Sequence, residues 1–175
     1  MDRAEERPDR LPTNEPTIIG PALLDQIWQQ ARASPRKRKN FNFHLRESDP
    51  ANRLLNAVEP ESYVRPHRHK DPAKDETIIA VRGSFGVVFF DEGGVVNSSL
   101  IIRAGGETMG VNIPHGIYHT LVALDSASVF FEAKAGPYVP VSMAEFAPWA
   151  PAEGDPGAHS YLEKLRGLFD FQLAD

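Results

Sequence analysis

The chain has 175 residues, 41% of them hydrophobic. At 19.4 kDa this supplies one domain's core and too little chain for two. Nineteen Lys and Arg against 24 Asp and Glu leave a net charge of −5. Nucleic acid, whose phosphates reward a basic face, is therefore not an expected partner. The absence of cysteine removes disulfides, thiolate metal sites and a cysteine nucleophile, so any metal must be held by nitrogen and oxygen.

Residues 1–20 are polar and proline-bearing, with neither helical nor strand periodicity, and read as a flexible N-terminal arm. Their charged start does not lead into an apolar signal core, and no run approaches the roughly 20 apolar residues that span a bilayer. A cytoplasmic protein with no membrane partner is expected. From Pro21, Leu23, Leu24, Ile27, Trp28 and Ala31 fall at helical spacing and Pro35 ends the segment, which predicts an amphipathic helix. Residues 21–39 are completed by the basic run Arg36-Lys37-Arg38-Lys39. In an acidic chain this reads as a solvated connection in preference to a phosphate site.

Residues 40–140 carry short apolar or alternating runs between turn residues, the pattern of an all-β barrel or sandwich. Strict alternation over Asn40–Leu45 puts Phe41, Phe43 and Leu45 on one face and Asn40, Asn42 and His44 on the other. Further strands are predicted at Arg53–Glu59, Tyr63–His69, Thr77–Arg82, Phe85–Asp91, Ser98–Arg103, Val111–Ile113, Tyr118–Leu124 and Val129–Lys134. Residues 141–175 are a proline-rich segment followed by a second helix. Asp155 is its expected cap, and Tyr161, Leu162, Leu165, Leu168 and Phe169 form a stripe that would pack on the barrel exterior.

The chemistry concentrates in Arg65-Pro66-His67-Arg68-His69. On an extended strand residues two apart project to the same side, so His67 and His69 can face one metal ion. A third imidazole, His119, follows the turn Pro114-His115-Gly116, and Glu76 opens the strand after the first pair. Three nitrogens and a carboxylate suit divalent Fe, Mn, Co, Ni or Zn, with positions left for water or substrate. Asp75 competes with Glu76 for the fourth place. On the same reading Tyr63 and Arg65 share the face of His67, and Arg65 would bind a carboxylate or phosphate. Asn42 and His44 are candidate pocket residues on a polar strand face, with exposure on an edge strand the alternative for His44. Glu132 and Lys134 are either the ionic partners of Arg65 or a second polar wall. His115 and His159 read as surface residues, and Tyr118 as a packing residue.

The order His-x-His, Glu76, Gly83, and later Pro114-x-Gly116-x-x-His119 resembles the two motifs of the cupin superfamily, whose fold is a small antiparallel jelly-roll β-barrel. Six residues, Lys70 to Asp75, lie between His69 and Glu76 where the usual spacing is three or four. Ala123 also stands where an Asn is common. A closer likeness, over about residues 20 to 166, is to the WbuC family of cupin-fold metalloproteins. It is carried by Arg38–His44, Tyr63–His69, the turn before His119, Glu132–Tyr138 and Ala147–Pro156. That family is bacterial, with some members encoded among genes for surface polysaccharide. The resemblance implies a fold, a metal and a ligand set of His67, His69, Glu76 and His119, but no substrate. Two functions follow as expectations: a metal-dependent isomerase or oxygenase acting on a small anionic, sugar-like or keto-acid compound, or a non-catalytic metal-containing module that binds a small effector. Cupins are often dimers, and the first helix or the edge near Asn40–Leu45 is the expected contact.

Overall fold

The computed structural model describes residues 15–170. Most of the arm expected over 1–20 lies outside them. Helix α1, Pro21–Ala33, starts with proline in its first turn after an extended Gly20 and ends at Ser34, as the spacing predicts. It buries Leu24, Ile27 and Ala31 against Leu55, Ala57 and Val129, with Phe41, Phe43 and Phe131 packed alongside. No helix among the described residues is long and apolar enough to cross a membrane.

Eight strands follow: β1 Arg38–Asn42, β2 Ala51–Val58, β3 Glu76–Arg82, β4 Ser84–Phe90, β5 Val96–Arg103, β6 Gly110–Ile113, β7 Tyr118–Ala123 and β8 Ser128–Ala135. All named pairings are antiparallel, in two sheets ordered β1-β2-β8-β3-β6 and β5-β4-β7. The segment around His67 adds to the second sheet beside β7, and Phe146 pairs with His67 on its far side. β1, β2 and β3 lie in the first sheet, with the His67 segment crossing to the second between β2 and β3; β4 and β5 lie in the second, and β6, β7 and β8 then alternate between the two. This makes the fold a jelly roll with a helix at each end, the two sheets facing one another without closing into a continuous barrel. The crossing from β3 to β4 takes one residue, Gly83. Its φ of +70° suits glycine, and a Cβ there would collide with the Ser128 side chain.

Between the sheets, Val58, Ile78, Ala80, Phe85, Val87, Ile102, Ile113, Leu121, Ala123 and Phe130 form an apolar core. Outside the second sheet, Val88, Phe90, Tyr118 and Val122 are covered by Leu162, Leu165 and Phe169, from α2 (Ala158–Arg166) and the 3₁₀ turn Gly167–Phe169.

Four sequence expectations are corrected. The strand expected over Asn40–Leu45 runs instead from Arg38 to Asn42, because its ladder with β2 ends at Asn42 opposite Leu54. Beyond it Asp49 Oδ2 accepts hydrogen bonds from the Leu45 and Arg46 amides and turns the chain. Tyr63–His69 is extended but makes only isolated bridges at His67, since Pro66 can donate nothing to a ladder. Asp155 does not cap α2: its carboxylate accepts from Ala152 N, and the helix begins after Gly157. Finally, the basic run is not simply solvated. Arg36 and Arg38 both donate to the Glu153 carboxylate, at 2.6 to 2.8 Å, and clamp the proline-rich segment to the start of β1.

Candidate metal centre

The site lies at one end of the space between the sheets, where the apolar core gives way to polar side chains. His67 and His119 exchange both backbone hydrogen bonds, His67 N to His119 O at 3.0 Å and His119 N to His67 O at 2.9 Å. This pairing sets the two imidazoles side by side on the inner face, with ring centroids 4.8 Å apart. His69, two residues on, projects the same way, 5.4 Å from His67 and 6.3 Å from His119. Glu76 opens β3 on the opposite wall, and its Oε2 accepts from His69 Nε2 at 2.9 Å. The four candidate residues are therefore neighbours, and Glu76, 5% exposed, is the carboxylate that meets the histidines. Asp75 turns away and accepts from the amide and Nδ1 of His115.

The backbone fixes two of the three tautomers. His67 Nδ1 donates to Arg65 O at 3.0 Å and His119 Nδ1 to Ile117 O at 2.9 Å, so each Nε2 keeps its lone pair. Such a carbonyl contact is what orients a metal-ligating imidazole. His119 Nε2 is buried and has no partner among the described residues. Burial holds His119 below the usual imidazole range, and it pushes His67 down to about 3, with the nearby His119 adding to the effect. Both rings are thus neutral, as ligation requires. Burial works against the charge of Glu76, but the His69 hydrogen bond and the Lys134 ammonium outweigh it and keep the carboxylate ionised. Among the described residues no three His, Asp or Glu side chains are already drawn into a ligand cluster, and His69 Nε2 is spent on Glu76. The donor set nonetheless fits a divalent transition ion: an orphaned acceptor nitrogen, a second neutral imidazole beside it, and a His–carboxylate pair across the gap.

Around this group the first sheet contributes a polar row. Register places Lys134 opposite both Glu76 and Asn52. Lys134 Nζ lies 2.6 Å from Glu132 and 3.6 Å from Glu76. Burial opposes its charge, but the two carboxylates prevail and raise its pKa. Glu132 is itself pushed up, by burial first and then by the charge of Glu76, and it accepts from Asn56 Nδ2 at 2.9 Å. Glu132 and Lys134 therefore pair with one another and form a second polar wall, not the partner of Arg65.

Arg65 has no acidic partner among the described residues. Its guanidinium lies 5.0 Å from the Phe146 ring, donates to Ala147 O at 3.0 Å, and leaves Nε buried without a partner. The Phe146 ring is 6.3 Å from that of His67.

Three other candidates are not brought to this group. Tyr63 packs outside the second sheet, its hydroxyl donating to Pro151 O and its ring edge-on to Tyr161. The break in pairing at Pro66 keeps the alternation from carrying back from His67. Asn42 accepts from Asn40, and His44 Nδ1 is held by the Arg53 backbone. Both line a 730 Å³ groove between α1 and β1. Two site neighbours escaped the sequence reading, Phe146 and Asn52. Asn52 and Asn56, four residues apart on one face of a strand whose Leu55 and Ala57 face α1, were the available signal for a polar interior.

Glu145 ties the Phe146 segment down, accepting from the amide and hydroxyl of Ser142 and from Lys70 N. These donors, the Ser142 amide foremost, hold its pKa down to about 2. A folded-state value below the unfolded one gives stabilisation that is full above pH about 4.5 and fades as pH falls toward 2. Hydrogen exchange at the Arg68 and Ala147 amides, which bond Glu145 O and Pro66 O, should lose protection across that window. A Glu145→Gln variant should show no such window.

The model of a family described as a domain of unknown function, DUF6016, matches residues 19–102, from α1 to β5. The match includes His67, His69 and Glu76 and stops short of His119. Solved structures with a similar chain path include KdgF from Halomonas sp. (18% identity, 61% of this chain and 84% of that one, TM-score 0.47). Another is a conserved protein of unknown function from Streptococcus pyogenes (11% identity, 61% and 80%, TM-score 0.45). Oxalate decarboxylase from Bacillus subtilis is a third (20% identity, TM-score 0.45), with 59% of this chain aligned to 26% of that one. No curated protein matches the chain.

Proposed function

We propose that the chain is a metalloprotein of cupin type whose His67, His69, Glu76 and His119 hold one divalent transition ion, and that it is an enzyme acting on a small anionic compound. The observation that carries this is the Nε2 of His119, buried and without a partner among the described residues, on a ring that lies beside two other imidazoles, one of them bonded to the Glu76 carboxylate. A nitrogen lone pair in that position is costly without a cation or a proton donor. The chemistry such an ion supplies is Lewis-acid polarisation of a carbonyl or acidification of water. Arg65, lacking any carboxylate among the described residues and lying over Phe146 beside His67, is the group that would hold the anion's charge. Lys134, pinned by Glu132, places a second positive charge against the same space.

Elemental analysis of protein purified without chelating resin tests the centre. About one ion per chain is expected in the native protein, and close to none in a His67→Ala/His119→Ala variant. Equal metal content in the two would overturn the proposal. Metal-loaded protein challenged with hydroxy and keto acids then separates enzyme from binding module: turnover supports the first, tight binding with no product the second.

A further inference from the structure

We infer that Asn52 is a recognition residue that reads a hydroxyl group on the bound acid, so that the ligand class is hydroxylated carboxylates and not simple ones. This rests on the proposal above that an anion binds at the metal centre. Asn52 is 2% exposed, and among the described residues neither its Nδ2 nor its Oδ1 has a hydrogen-bond partner. A buried amide with two donors and an acceptor all unmet is disfavoured, and folded proteins keep few of them.

Its direction follows from β2. Leu55 and Ala57 pack toward α1, whereas Val58 enters the core between the sheets and Asn56 reaches Glu132. Alternation therefore puts Asn52 on the inner face with Asn56. Register sets it directly opposite Lys134, which is in turn opposite Glu76. Cross-strand neighbours of this kind stand about 5 Å apart at Cβ. The row reads amide, ammonium, carboxylate, and its Glu76 end meets the histidines through His69.

Each member suits a different part of one ligand. Lys134 and Arg65 take negative charge, and only the amide offers both a donor and an acceptor that are free. A hydroxyl is the group that satisfies both at once. Because a site built to hydrogen-bond a hydroxyl leaves buried polar groups unpaired when the hydroxyl is missing, it rejects the deoxy analogue strongly.

Gluconate and hexanoate, six-carbon monoanions with and without hydroxyls, are the probes, titrated calorimetrically into metal-loaded native protein. Gluconate is expected to bind about tenfold tighter or more. Asn52→Leu, and Asn52→Ser should the leucine variant fold poorly, are expected to lose that preference. Equal binding of the two acids by the native protein, or an undiminished preference in either variant, would overturn the inference and leave Asn52 as the seat of an ordered water. Failure of both acids to bind would overturn the anion-binding reading beneath it as well.

Discussion

Replacing His119 with leucine is expected to abolish metal uptake while raising the melting temperature of the metal-free protein. The imidazole is 3% exposed and its Nε2 has no partner among the described residues, so in the absence of a cation the fold carries a buried acceptor that water could have satisfied. An apolar side chain of similar size removes that cost, of about 1–3 kcal/mol. Loss of the Nδ1 bond to Ile117 O offsets part of the gain, because that carbonyl is then left short of a donor. For a chain of this length each kcal/mol moves the melting temperature by about 2–4 °C, so a rise of a few degrees should be visible by calorimetry in the presence of a chelator. A residue retained at the expense of stability is one kept for function. A fall of several degrees would instead make His119 a packing residue.

Truncating Phe169 to alanine should cost about 3–5 kcal/mol, enough to lower the melting temperature by on the order of 10 °C. The ring is fully buried with Val88, Phe90, Tyr118, Val122, Leu162 and Leu165. It sits over Gly86, a bare patch on β4, and any side chain at Gly86 would intrude on it. The cavity cannot easily collapse, because β4 lies between β5 and β7 and is held from both sides. Denaturant unfolding measures the loss directly. A change below about 1 kcal/mol would mean that the 3₁₀ turn lies on the core without being part of it.

The elements with strong periodicity agree between sequence and structure for a plain reason: their burial is decided by near neighbours. Helix α1 has its apolar stripe and its bounding prolines within a few residues of one another. The strand β4 is a run too apolar to lie anywhere but inside, and all of it but Phe89 is buried. His67 and His69 could be paired from spacing alone, because the two-residue period of extended chain is local geometry. The same argument failed for Tyr63. It assumes an unbroken strand, and Pro66 breaks the pairing, so Tyr63 faces the closing helix instead.

What the chain order determined unaided is a mainly β domain of barrel or sandwich type, the helix at each end, and the pairing of His67 with His69; the jelly roll and the full candidate ligand set came from the family resemblance. What only the tertiary structure decided is which of those candidates meet. His119 reaches His67 through a two-bond backbone contact across 52 positions of sequence, and Glu76 rather than Asp75 turns inward because β3 pairs with β8 at Lys134. The Asn52–Lys134–Glu76 row and the Phe146 ring beside His67 arise the same way, from the register of strands distant in the chain. Register is set by how whole faces pack, and no local period contains it.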